Sequence, residues 1–250
     1  MFFKLLTTLV KNTFCKIFQI YTWIVIIPIA WLITATVALL TIIFSFLVNS
    51  RWASKWIAPW WGRLIIFITI SRVKIIGAQR IEKRQSYIVV CNHQSIYDML
   101  TIYGYLPVEI KWVMKKELEK MPFVGASCKA LGHIFVDRSN SEKARQSLIG
   151  AKDKIADGVS AFFFPEGTRS KNGELINFKK GAFRMAKELN LPILPVTISG
   201  TSKIMAANSL IICPNTITLT IHEPIAISEV NHLSINELAK QSKELIASTL

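Results

Sequence analysis

The chain has 250 residues, 51% of them hydrophobic, and a formal net charge of +14. Roughly 170 residues beyond position 80 suffice for one well-packed core, and neither internal repeats nor low-complexity stretches interrupt them. A basic balance is a nucleic-acid signal only when a recognition motif accompanies it; here it accompanies an apolar anchor instead, which excludes nucleic acid as the expected partner. The four cysteines (Cys15, Cys91, Cys128, Cys213) are widely scattered, and they read as buried free thiols in a reducing compartment rather than a disulfide framework. No His-x-x-x-His or Cys-x-x-Cys spacing occurs, so a catalytic metal is not expected.

From the N-terminus, residues 1–80 read as a membrane-anchoring helical segment and 81–250 as a separate α/β domain. No Asp or Glu precedes Glu82, while Lys4, Lys11, Lys16, Arg51, Lys55, Arg63, Arg72, Lys74 and Arg80 are basic. Ile17 to Val48 carries no charge, a run well beyond the ~20 residues a helix needs to cross a hydrocarbon core. It is also too long for a signal peptide. Cations flank it on both sides, so the positive-inside rule chooses no orientation, and a spanning helix and one that re-enters the same leaflet both fit. Trp52, Trp56 and Trp60 recur every four residues beside Arg51, Lys55 and Arg63, which is an interfacial amphipathic pattern suited to an anionic membrane surface.

After residue 80, short apolar strands are expected at 87–91, 110–114, 133–137, 160–164, 193–198 and 216–221. They alternate with helical stretches near 95–105, 141–157, 180–189 and 235–248. The alternation predicts an α/β fold with a mostly parallel central sheet and flanking helices, ligand residues gathering at the C-terminal ends of the strands. Ser139 or Asn140 reads as a helix cap and Lys171-Asn172-Gly173 as a turn.

Two strand ends carry chemistry. The first apolar strand runs into Asn92-His93-Gln94-Ser95-Ile96-Tyr97-Asp98. His93 at the strand end and Asp98 one turn into the next helix can meet, and a carboxylate that fixes the tautomer makes the imidazole a general base near neutral pH. The second runs Phe164-Pro165-Glu166-Gly167-Thr168-Arg169. Proline ends the strand, Gly167 lets backbone approach a ligand, and a carboxylate and a guanidinium flank the turn; the set suits a phosphate-bearing substrate. An internal Glu–Arg pair that only ties down the turn is the plain alternative. His133 reads as a satisfied structural histidine, and His222 and His232 as incidental.

These blocks, with Gly132-His133-Ile134-Phe135-Val136-Asp137-Arg138 and Leu191-Pro192-Ile193-Leu194-Pro195-Val196 in the same order, resemble the glycerolipid acyltransferase family, nearest to the 1-acyl-sn-glycerol-3-phosphate acyltransferases. Lys115-Lys116-Glu117-Leu118 is similar to the segment between the first and second blocks. The resemblance covers roughly Ser86 to Gly200.

The resemblance implies transfer of an acyl chain from a thioester to the free hydroxyl of lysophosphatidic acid, giving phosphatidic acid. A thiolate leaves readily, its conjugate acid having a pKa of about 8.5, so the alcohol is the partner that needs help. His93 would take its proton and Asp98 orient the ring. No Gly-x-Ser-x-Gly elbow is present, which favours direct transfer over an acyl-enzyme. By the same resemblance Arg138 and Arg169 would hold the lipid phosphate, with Lys115 a further candidate. Gly167 and Thr168 belong to the same substrate-binding set, and Glu166 would position the glycerol or organise Arg169. No cofactor is implied beyond an acyl-coenzyme A or acyl-acyl carrier protein co-substrate. The expected location is the inner plasma membrane, with the catalytic domain on the cytoplasmic face. Another acceptor (lysophosphatidylcholine, glycerol-3-phosphate or a lyso-ornithine lipid), a lipid hydrolase, and a non-catalytic membrane-binding protein of the same fold are the alternatives.

Overall fold

The computed structural model describes residues 16–137, 139, 146–148, 150–170 and 174–250. The expected helix cap at Ser139/Asn140 and the turn at 171–173 fall largely or wholly outside these residues.

Seven strands form one sheet: β1 (Arg72–Ile76), β2 (Ile88–Cys91), β3 (Glu109–Lys115), β4 (Ile134–Val136), β5 (Val159–Phe163), β6 (Ile193–Ser199) and β7 (Thr216–Ile221). Their order is β1-β7-β6-β2-β5-β3-β4. Every pairing is parallel except β6 with β7. The central strands β2, β5 and β6 are predominantly apolar because both faces are covered. Val89 and Cys91 of β2, Phe162 of β5 and Leu194 of β6 enter one apolar cluster. Their neighbours Ile88, Val90, Ala161, Phe163 and Ile193 enter the cluster on the opposite face.

Helices cover both faces. The long helix α1 (Lys16–Leu47), π-wound at Thr22–Ile26, is followed by α2 (Ser50–Trp56), α3 (Ala58–Ile68) and α4 (Ile96–Tyr105). Then come α5 (Val124–Ala130), α6 (Gly181–Leu189), α7 (Thr201–Ile204), α8 (Ile227–His232) and α9 (Ile235–Ala247). α3 packs so closely on α4 that a Cβ on Gly62 would lie 2.0 Å from the Leu100 carbonyl oxygen. α6 and α9 lie on the other face, where Phe183, Met185, Leu238 and Ile246 are fully buried.

Three expectations change. β1 lies inside the segment expected to be wholly anchor and forms an edge of the sheet beside β7; its burial pattern is nearly all exposed, so it carries no buried-strand signature. The helix expected over 141–157 does not reach its end: Lys152–Lys154 is a 3-10 turn and Val159 already begins β5. The tryptophan face is split, because Pro59 starts a new helix after Ile57. Trp56 and Trp60 are half-exposed, whereas Trp52 stacks on Phe44 of α1 at 5.1 Å.

α1 lies along the domain instead of projecting from it. Gln19 Nε2 donates to the Ile212 carbonyl (2.7 Å) near its start, Trp61 Nε1 donates to Thr34 Oγ1 (3.0 Å) at its middle, and Phe44 meets Trp52 near its end. By length and composition it is the one helix among the described residues apolar enough to cross a membrane.

Candidate active site

β2 sits mid-sheet, with β5 on one side and β6 on the other. Crossovers leave it in both directions, and the crevice at the C-terminal end of such a strand is where open α/β sheets bind ligands. The loop after β2 is fixed on every side. Asn92 exchanges two hydrogen bonds with Ile198 of β6, donating Nδ2–H to its carbonyl (2.8 Å) and accepting its N–H on Oδ1 (2.8 Å). The Ser170 N–H donates to the His93 carbonyl (2.8 Å), and the His93 N–H donates to Glu166 Oε1 (2.7 Å).

The expected meeting of His93 and Asp98 is present. Ser95 caps α4 and Asp98 is its N3 residue, together forming a capping box. Asp98, fully buried, accepts on Oδ2 from the Gln94 N–H (2.6 Å) and the Ser95 N–H (2.8 Å), and lies 2.9 Å from His93 Nδ1. A carboxylate only accepts, so Nδ1 donates, and in the neutral ring Nε2 keeps its lone pair. The imidazole stacks on Phe164 with centroids 3.9 Å apart and planes 10° from parallel. Its orientation is thus held by a hydrogen bond at one edge and a ring across one face.

His93 lines a cavity of about 440 Å³ whose walls are mostly apolar. Thr34, Val37, Ala38 and Thr41 of α1 form one wall, and Trp61, Tyr103 and Trp112 line it from the domain side. Thr168, Arg169 and Lys115 also border it. Arg169 has no hydrogen bond or ion pair among the described residues, leaving its guanidinium open to a ligand. Lys115 is tied to Glu117 at 3.1 Å, with both side chains more than half exposed. Gly167 adopts φ +75°, a left-handed conformation that favours glycine. Arg138 lies outside the described residues.

Glu166 makes no ion pair with Arg169 among the described residues. It is buried, and besides the His93 N–H it accepts the Ile176 N–H on Oε2 (3.1 Å). Burial raises its pKa, against the opposing pull of those two backbone donors. Each of its oxygens thus accepts a backbone N–H, one of them from the histidine loop. His133 is buried among its own partners: Nδ1 accepts the Trp112 N–H (3.3 Å) and Nε2 contacts the Tyr103 hydroxyl. Burial drives its pKa down to about 3. His222 is likewise enclosed, its Nε2 bonded to Thr197 Oγ1 at 2.8 Å.

Cys91 and Cys128 are buried free thiols, but Cys213 is disulfide-bonded, contrary to expectation; spacing along a chain does not report proximity in space. Among the described residues no group of three or more His, Cys, Asp or Glu is placed to hold a metal ion.

The α1 wall of the cavity was not anticipated. Its signal was in the sequence: Thr34, Val37/Ala38 and Thr41 place small and short polar side chains at i, i+3/i+4 and i+7, one face of a helix otherwise built of bulky apolar residues.

A histidine held by a buried acid at the end of β2 and a mostly apolar cavity bordered by Arg169 together form the candidate site. The Acyltransferase family model matches residues 72–199, and the chain belongs to that family. A 1-acyl-sn-glycerol-3-phosphate acyltransferase of Cocos nucifera is 33% identical over 199 residues, 74% of this chain and 64% of that protein. One of Saccharomyces cerevisiae is 32% identical over 181 residues, 71% of this chain and 59% of that protein. The crystal structure of the 1-acyl-sn-glycerophosphate acyltransferase PlsC from Thermotoga maritima has a TM-score of 0.71 at 27% identity, covering 97% of this chain and 95% of that one. The chain spans about three-fifths of the length of the curated relatives it matches.

Proposed function

We propose that this chain transfers an acyl group from an acyl thioester to the free hydroxyl of lysophosphatidic acid, producing phosphatidic acid and a free thiol. The observation that carries the reading is the His93–Asp98 pair, its Nε2 left unoccupied, lining an apolar cavity that Arg169 also borders. The aliphatic chain occupies the cavity and Arg169 takes the acceptor phosphate, with Lys115, which borders the same cavity, as a second cation. His93 Nε2 removes the hydroxyl proton as the oxygen attacks the thioester carbonyl, while Asp98 stabilises the imidazolium. Collapse of the tetrahedral intermediate forms the C–O bond and breaks C–S, and the proton on Nε2 neutralises the departing thiolate. The relatives' being 1-acyl-sn-glycerol-3-phosphate acyltransferases supports this choice of acceptor.

The proposed location is the cytoplasmic face of the inner membrane. The excess of Lys and Arg favours an anionic leaflet at roughly 1 kcal/mol per residue near its surface. The contacts of α1 with the domain near its start, middle and end favour a helix lying along one leaflet over one crossing it. The deciding experiment incubates the purified chain with lysophosphatidate and either acyl-coenzyme A or acyl-acyl carrier protein, with lysophosphatidylcholine and glycerol-3-phosphate as competing acceptors. Phosphatidate as the main product supports the proposal. Preferential acylation of a competitor changes the acceptor, and release of free fatty acid without acceptor makes the chain a hydrolase.

A further inference from the structure

A second cavity, of about 310 Å³, lies where the C-terminal ends of β3, β4 and β5 meet α6. Phe163, Phe164, Ala182 and Met185 give it an apolar wall, and Lys179 and Arg184 line it from the outside. Neither cation has a hydrogen bond from its side chain or an ion pair among the described residues, and Glu188 is the one acid among the lining residues. The Lys179 N–H is fixed to the Pro165 carbonyl at 2.8 Å. Its side chain lies against the turn, so that a Cβ added to Gly167 would meet Nζ at 2.7 Å.

The two cavities share Val113, Phe164 and Gly167 in their walls. Phe164 is the ring on which His93 stacks, so one side chain touches the imidazole and borders both cavities. This arrangement bears on substrate shape, given the acyl-transfer reading on which the inference rests. A lysolipid needs one apolar space and one cationic contact, and Arg169 at the first cavity meets that need. A thioester donor has two arms: the acyl chain on one side of the reacting carbonyl, and on the other the polar pantetheine arm ending in a phosphate. Two adjoining compartments, one mostly apolar with Arg169 and Lys115 at its border and one edged by Lys179 and Arg184, give the two arms of a donor separate spaces. A volume near 300 Å³ is at the lower end of those that enclose small organic ligands.

We propose that the second cavity binds the phosphopantetheine arm of the acyl donor, with Lys179 and Arg184 pairing its phosphate. Coenzyme A and acyl carrier protein both present this group. The two anionic substrates then meet separate cations, Arg169 for the acceptor and Lys179 with Arg184 for the donor.

The test uses the full chain with Lys179 and Arg184 both changed to Ala, and independently Gly181→Phe. Lys179 and Arg184 are exposed, and a Cβ at Gly181 meets nothing within 4 Å, so folding is retained in each. KM is measured separately for acyl-coenzyme A, acyl-acyl carrier protein and lysophosphatidate, and the binding of free coenzyme A and of 4′-phosphopantetheine is measured by calorimetry. The expected result is a rise in donor KM of about tenfold from loss of two charged phosphate contacts, lysophosphatidate KM unchanged, and weaker binding of both free thiols. An effect confined to coenzyme A or to the carrier protein identifies the source of the arm. Donor KM within twofold of wild type in both variants overturns the proposal, as does an equal rise in both substrates' KM. If wild type transfers no acyl group at all, the acyl-transfer reading fails, and calorimetry still decides this one: phosphopantetheine bound by wild type and not by the variants sustains the site, and equal or absent binding ends it.

Discussion

One oxygen of Asp98 serves three N–H groups at once: two backbone donors that start α4 and the imidazole of His93. Asp98→Asn keeps the shape and removes the charge that stabilises the imidazolium. We expect a fall in kcat on the order of 10²–10⁴-fold, with a stability loss of about 1 kcal/mol from the weakened cap; rates near wild type in the folded variant would contradict the role. Glu166→Gln replaces one acceptor oxygen by an NH2 group facing a buried N–H, which costs about 1–3 kcal/mol and loosens the histidine loop. Because burial raises the Glu166 pKa, its carboxyl holds a proton to higher pH in the folded chain than in the unfolded one. The stability linked to that proton is present at low pH and is lost as pH rises from the ordinary 4.5 through the raised value. Denaturant midpoints measured across this range should fall less steeply in the Gln variant. The sequence made the His93–Asp98 contact legible because one helical turn dictates the reach. It left the direction of Glu166 open, because a turn with φ > 0 at Gly167 separates it from Arg169 and only the partner loops decide which way the carboxylate faces.

At the scale of elements, β3, β4 and α4 are joined through His133. Its Nδ1 accepts the Trp112 N–H, so the neutral ring donates from Nε2 toward Tyr103, and protonation would set an N–H against an N–H. Burial, followed by the charges of Lys111 and Lys154, lowers its pKa from 6.5 to about 3. The folded chain thus excludes a proton that the unfolded chain binds. The stability tied to this neutral ring is full above about 6.5 and is lost as pH falls toward 3. His133→Leu should be less stable at neutral pH, by about 1–3 kcal/mol for the orphaned Trp112 N–H, yet lose less between pH 7 and pH 4.5; an unchanged pH slope would place the titration elsewhere. Among the six strands expected after residue 80, β2 was legible as a continuous apolar run covered on both faces, and β7 by its alternation of threonine with apolar residues. β1 was not, since Arg72 and Lys74 alternate with Val73 and Ile75 on a largely exposed edge strand. α5 was not either: Val124-Gly125-Ala126-Ser127-Cys128-Lys129-Ala130 is built of small residues with no apolar stripe, and a Cβ at Gly125 would lie 2.2 Å from the Glu119 carbonyl oxygen.

For the whole molecule, the apolar helix and the catalytic sheet are one construction, since α1 supplies a wall of the cavity that His93 borders. In the proposed in-plane arrangement, cysteines placed at Lys16 and Lys55 should react with a membrane-impermeant maleimide from the same side of oriented vesicles, whereas a spanning helix would expose them on opposite sides. Replacing the half-exposed Trp56 and Trp60 by Ser should weaken binding to anionic vesicles while leaving the fold intact; unchanged partition would remove these rings from the interface. The central claim is that His93 Nε2 takes the acceptor's proton within this lipid-facing cavity. The measurement that meets it most directly is the rate of phosphatidate formation by His93→Ala with saturating lysophosphatidate and acyl thioester. The account predicts a fall on the order of 10²–10⁴-fold with unfolding midpoint and vesicle binding unchanged, and a folded variant that retains wild-type turnover would contradict it.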